Sequence, residues 1–196
     1  MRCANVLRGL VLLLFVSSVL SGLAPRPARA AGDAGIQIRA AELAVDGDSV
    51  LLDTAFQVDL GDTVEDALVR GIALNFVFEF ELGHERWWTL GLWNRTVHEF
   101  EWRQRLTWNA LTRQYRLADG VTIQHHDSLA EALAQLGRVR ARRVAARDDL
   151  DAGRLYMARV RLRLDTSLLP KPVQINAIAS RHWSLASDDH VWTFRR

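Results

Sequence analysis

The chain predicts a mainly β domain at the margin of α+β. The expected architecture is an antiparallel two-layer sandwich of about seven or eight strands with two short helices. Three observations predict it. Apolar residues recur at every second position over several stretches, most clearly Ile72, Leu74, Phe76, Phe78, Phe80 and Leu82. These stretches follow one another through short turns, without the regular strand–helix alternation of a parallel sheet. Hydrophobic residues make up 49% and charged residues 24% of the 196, a globular balance that excludes disordered and collagenous chains.

Residues 1–30 read as a secretory signal. Arg2 and Arg8 precede an apolar run from Leu10 to about Leu23, and Ala28-Arg29-Ala30 offers small side chains for cleavage near Ala30. The run is short for a membrane span, and no other run is long enough, so no transmembrane segment is expected after cleavage. The layout places residues 31–196 in the periplasm as a single exported sandwich-like domain. The first thirty residues carry four arginines and no acid, so their removal takes the formal charge from +2 to −2. A nearly neutral domain gives no support to nucleic-acid binding. Cys3 is the one cysteine. The exported part therefore has no disulfide, no thiolate metal site and no cysteine nucleophile.

After a leader at 31–35, Ile36 to Val45 reads as a strand whose apolar parity switches, which asks for a bulge near Ala40-Ala41. Asp46-Gly47-Asp48 turns the chain into a second strand, Val50 to Leu60. Asp62-Thr63-Val64-Glu65 fits a capping box with Asp62 at the N-cap, and Gly71 ends that helix. The Phe-rich strand through Leu82 follows, then a tryptophan-rich connection over residues 83–94. Val97, Glu99, Glu101, Arg103 and Arg105 line one face of the next strand, and His98, Phe100, Trp102, Leu106 and Trp108 line the other. The chain returns through Tyr115 and Leu117. Ser128-Leu129-Ala130-Glu131 is a second capping box, with Gly137 as a candidate helix end. Arg138 to Arg147 reads as irregular. Asp151-Ala152-Gly153 is a turn before the strand Tyr156–Leu164. Pro170-Lys171-Pro172 is expected to interrupt the sheet as a rigid edge segment, because proline supplies no ladder donor. Short strands are expected at Val173–Ala177 and Val191–Phe194.

Several segments stand together in one order: Ala110–Arg116; Ser128-Leu129 with Glu131-Ala132-Leu133 and Leu136-Gly137; and Leu169–Ala177 followed by Trp183 and Leu185-Ala186-Ser187. In this order the chain resembles the proteobacterial exported family known as domain of unknown function 4390, over essentially all of the exported part. The resemblance implies a single exported domain with no assigned activity and no known cofactor. It also implies frequent encoding beside a membrane sensor kinase of the nitrogen-regulation type.

Few residues suggest chemistry. His125-His126-Asp127 has donors suited to zinc or copper. Neighbours on a strand face opposite ways, however, and Asp127 or Ser128 is needed as a helix cap. Ser180, His182, Asp188 and Asp189 hold triad residue types but lack the G-x-S-x-G elbow that exposes a nucleophile. Glu79 and Glu81 share a face and could act as paired carboxylates, or pair with Arg103 and Arg105 across the sheet. No catalytic or metal site and no cofactor is therefore expected. The candidate interaction surface is Trp87, Trp88 and Trp93 together with Arg138, Arg140, Arg142 and Arg143, with Arg147 nearby. Guanidinium groups suit phosphates, anionic lipids or acidic proteins, although solvated charge and core cover are the plain structural roles. A docking role for Pro170-Lys171-Pro172 is the further option. The expected function is a non-enzymatic interaction domain that binds another envelope protein, with a link to sensor-kinase signalling. The alternative is a small-ligand or glycan-binding module using the tryptophans as stacking platforms.

Overall fold

The computed structural model describes residues 34–84 and 95–196. The expected signal, Trp87, Trp88 and Trp93 lie outside the described residues. Among the described residues the chain forms nine strands in two antiparallel sheets, with three α-helices. The smaller sheet orders β1 (Gly35–Asp46), β2 (Ser49–Asp59) and β7 (Arg138–Ala146) as β1-β2-β7. The larger holds β3 (Leu74–His84), β4 (Arg95–Asn109), β5 (Gln114–Ala118), β6 (Ile123–His126), β8 (Leu155–Leu164) and β9 (His190–Arg195). Its order is β6-β5-β4-β3-β8-β9. The result is the open, sandwich-like, mainly β architecture that the alternation predicts.

Period-2 alternation decides which residues meet. Val50, Leu52, Phe56 and Val58 of β2 are buried on one face, as are Leu74, Phe76, Phe78, Phe80 and Leu82 of β3. The two rows belong to one hydrophobic core. Phe56 and Phe78 meet edge to face across the sheets, with ring centroids 5.5 Å apart and planes at 88°. Fully burying side chains of this size stabilises by about 1.5–3 kcal/mol each before the entropy of ordering them is subtracted.

Three strands cannot cover six, and two helices help fill the difference. α1 (Gly61–Val69) packs against β4 and the 3-10 turn Arg181–Trp183. α2 (Leu129–Leu136) packs against β2, β5 and β6. Ser128 caps α2 as expected, its Oγ accepting from Glu131 N at 3.2 Å. The cap expected at Asp62 is not made. α1 starts at Gly61 after Leu60, without a side-chain cap, and the Asp59 carboxylate accepts from Gly61 N at 3.0 Å. Gly71 follows α1 at φ +91°, the left-handed geometry expected of it.

Other expectations change more. Arg138–Ala146 is a strand, not an irregular segment. Two register shifts against β2 break its alternation and hide it from a period-2 reading. Pro170-Lys171-Pro172 is not an edge segment, and Val173–Ala177 is not a strand. Both belong to the start and body of α3 (Lys171–Ala179), with Pro170 at the N-cap. Proline is at home in a first helical turn, where the N–H it lacks has no intrahelical acceptor. The bulge expected near Ala40-Ala41 falls between Ile38 and Ala40, which leaves Arg39 as the extra residue.

The long β8–β9 connection is tied back to the larger sheet. Leu164 N donates to Leu185 O at 2.8 Å, and Ser187 N donates to Leu162 O at 2.8 Å. The buried Ser187 Oγ accepts from Leu162 N at 3.1 Å. The β7–β8 connection is closed by Tyr156, whose buried hydroxyl accepts from Asp151 N at 2.7 Å.

The join between α2 and β7 permits a sharp test. Phe56 N donates to Gly137 O at 2.7 Å. A Cβ at residue 137 would stand 2.2 Å from Phe56 O, a backbone atom that cannot swing aside. Gly137→Ala is expected to destabilise the fold by about 1–3 kcal/mol, the usual cost of forced overpacking. Urea unfolding measures this, and a midpoint equal to that of the parent would refute the close approach.

Candidate interaction surface

β7 is an edge strand, hydrogen-bonded to β2 on one side within its sheet. It carries four of the predicted arginines. Arg138, Arg140 and Arg143 are exposed, and Arg142 is half-buried. In the register with β2, Arg143 stands opposite Leu51 and Arg138 opposite Ala55, while Arg142 stands opposite the buried Leu52. Leu51 and Ala55 share one parity of β2 and Leu52 has the other. Arg138 and Arg143 therefore belong to the outer face of the smaller sheet, and Arg142 to the inner face.

Two bulges produce this arrangement. Val144 is the extra residue between Arg143 and Ala145, and Arg140 with Ala141 stand opposite the single residue Asp53. Ala141 has φ +46°, a left-handed conformation that costs a non-glycine residue about 1 kcal/mol. Its N–H is held by the Asp53 carboxylate at 3.0 Å. The bulges let Val139 and Val144 both be buried although five positions separate them.

Arg142 is positioned by aromatic rings. Its guanidinium carbon lies 4.5 Å from the Trp102 ring centroid and 4.8 Å from that of Phe100. Trp102 also stacks with Phe78, centroids 3.6 Å apart at 21°. Arg142 thus bridges the two sheets at their flank. Backbone hydrogen bonds from Thr122 and Val121 hold the Asp119 carboxyl below its ordinary value, opposed in part by desolvation and aided slightly by Arg142. The two donors reach its Oδ1 at 2.8 and 3.1 Å.

Among the described residues, Arg138, Arg140, Arg142 and Arg143 form no ion pair. Arginines on the outer face of the larger sheet behave otherwise. Arg163 Nε lies 2.6 Å from Glu79 Oε1. Arg159 pairs with both Glu81 and Asp189, the latter at 3.1 Å. The cross-strand pairing expected for Glu79 and Glu81 thus occurs, but with β8 in place of Arg103 and Arg105. Arg103 instead pairs with Glu101 of its own strand at 2.7 Å. Hydrogen bonds to these carboxylates raise Arg159 and Arg163 above the usual arginine range.

The remaining candidates are scattered. His125 is exposed and His126 half-buried, on opposite faces of β6. Asp127 accepts from Gln114 Nε2 at 3.0 Å. Among the described residues no group of three or more His, Cys, Asp or Glu side chains is placed to hold a metal. Ser180 Oγ accepts from the backbone N–H of His182 at 3.4 Å, and Asp189 is engaged with arginine. Pro170, Lys171 and Pro172 open α3 in the β8–β9 connection, away from β7. No helix among the described residues is long and apolar enough to cross a membrane.

Sequence reading found the arginines but missed both the strand that carries them and the contact of Arg142 with Phe100 and Trp102. The available signal was Val139 and Val144-Ala145. This apolar set fits one strand face only when a bulge is allowed.

Fold and surface together define an open antiparallel sandwich with one bulged, arginine-bearing edge. The chain belongs to the family described as Domain of unknown function (DUF4390), whose model matches residues 33–193. No curated protein and no solved structure matches it.

Two outcomes test the geometry of this surface. Arg142→Ala should cost about 0.5–1 kcal/mol in urea unfolding, the worth of a cation–π contact that is not fully desolvated. It should also shift the tryptophan emission of the folded protein. An unchanged midpoint and spectrum would show that the stack is not held. For Asp119 the sign follows from its lowered pKa. Its charge stabilises the fold above the ordinary aspartate value of 3.8, and that contribution is lost as pH falls through the lower folded value. Asp119→Asn should therefore unfold earlier than the parent at neutral pH, with the gap closing in acid. A gap that stays constant down the pH scale would contradict this.

Proposed function

We propose that this protein is a non-enzymatic interaction domain of the periplasm that binds another envelope protein, with the exported part of a membrane sensor as the partner of choice. One observation carries the reading: an open sheet edge presents arginines that have no ion-pair partner among the described residues. Arginine is enriched at protein interfaces, where its planar fork matches carboxylates. The sequence of residues 1–30 supports the location. The glycan-binding alternative has less in its favour. The ring of Trp102 is already engaged by Phe78 and Arg142.

The test is crosslinking in the native envelope followed by mass spectrometry, on the parent and on an Arg140→Glu, Arg143→Glu variant. Both substitutions are at exposed positions, so circular dichroism should be unchanged. The expected result is one dominant partner that is lost in the variant. Crosslinks identical in the two proteins would remove β7 as the interface.

A further inference from the structure

We infer that the occupant of the β7 edge is an extended acidic segment of the partner, held by carboxylate–guanidinium contacts along Arg138, Arg140, Arg142 and Arg143. The inference rests on the interaction reading above and specifies its chemistry. The charge is one-sided: four arginines lie within six consecutive residues of a single edge strand, and no described carboxylate forms an ion pair with them.

The backbone argues for recognition by side chains. An unobstructed edge would invite a partner strand to continue the ladder. β7 is bulged twice, and Ala141 takes a left-handed conformation with its N–H turned to Asp53. A regular ladder cannot run through that point. Its side chains, in contrast, are displayed on both sides of the edge. Arg138 and Arg143 stand on the outer face of the smaller sheet, and Arg142 on the inner face over Phe100 and Trp102.

The same distribution argues against a membrane surface. Guanidinium groups on opposite faces of one strand suit a narrow segment laid along the edge better than a broad plane of headgroups. A chain segment laid along the edge reaches both sides. Arg142 is the member of the set that packs on aromatic rings. Its plane is restrained by the aromatic rings, so less conformational freedom is lost when a carboxylate binds its free N–H groups.

The test measures fluorescence anisotropy of a labelled extended peptide that alternates glutamate and serine. A second peptide with glutamine in place of glutamate serves as the comparison. The protein is purified from its native envelope. The acidic peptide should bind at least about ten-fold more tightly, the worth of one charge-assisted hydrogen bond, and binding should weaken as salt rises. Arg142→Lys keeps the charge but removes the planar fork, and should lose a large part of that preference. Arg140→Glu with Arg143→Glu, at exposed positions that do not threaten the fold, should abolish it. Equal binding of the two peptides would overturn the inference, as would indifference to the arginine variants. Capture of phosphatidylglycerol vesicles through the same arginines, without a preference for the acidic peptide, would overturn it in favour of a lipid surface. Should the envelope crosslink depend on β7 while the peptides bind equally, the acidic segment falls and the interaction reading stands. Should the crosslink ignore β7, both fall.

Discussion

The apolar rows of β2 and β3, facing each other across the two sheets, set the register around which the other elements pack. Phe56 meets Phe78 edge to face, and the buried residues on either side of this contact are continuous along both strands. Side chains alternate with a period of two, so a slip of one residue in β3 would send Phe76, Phe78 and Phe80 to solvent and carry Glu79 and Glu81 into the core. The register that buries the phenylalanines is therefore the register that sets Glu81 opposite Arg159 and Glu79 diagonally beside its partner Arg163 on the outer face. Core and ion pairs are two sides of one constraint. With the one cysteine at position 3, no disulfide among the described residues shares that burden.

The unequal sheets explain where the exposed chemistry lies. Three strands cover only part of a six-stranded sheet, and α1 and α2 help to cover the rest. Between these covers, Phe100 and Trp102 on the inner face of β4 stay half-buried. An aliphatic residue at 142 would leave those rings beside a fully apolar flank. Arginine lays a flat, weakly hydrated cation over them and keeps its remaining donors toward water. The outer face of the larger sheet uses the same residue in another way. Val77 is wholly buried there, between Arg103 and Arg163 in the register. Long arginine side chains can cover such an apolar residue with their stems while their heads stay solvated.

Most of this fold is legible in the sequence because most of its strands are regular. β2 and β8 keep an unbroken alternation of burial, β3 and β4 keep a recognisable one despite the buried Val77 and the bulge at Val97, and the turns between elements carry their usual residues. What escaped the reading has physical causes. β7 is bulged at two places, and each bulge reverses the parity on which pattern reading relies. α3 begins with two prolines that look like strand breakers, although they stand where a helix tolerates them. β6 is only four residues long, too short to show a period. The surface was legible as composition and illegible as geometry. The arginines are adjacent in sequence, but their division between two faces, and the rings beneath Arg142, come from the packing of β7 against β4.

The bulge at Ala141 joins these themes. Edge strands are hazards because their free N–H and C=O groups invite pairing with other chains. Glycine would take the left-handed conformation at 141 without strain, yet an alanine stands there, and the Asp53 carboxylate is used to hold its N–H. That carboxylate comes from the adjacent strand of the same sheet, so β2 fixes the shape of the edge that β7 presents. The distortion breaks the ladder and, by inserting a residue, moves Arg142 to the inner face and brings Arg143 to the outer face beside Arg138. A straight strand could not bury Val139 and Val144 together, nor distribute its cations this way. The irregularity that protects the edge from unwanted strand pairing is thus the same one that gives the edge its chemical character.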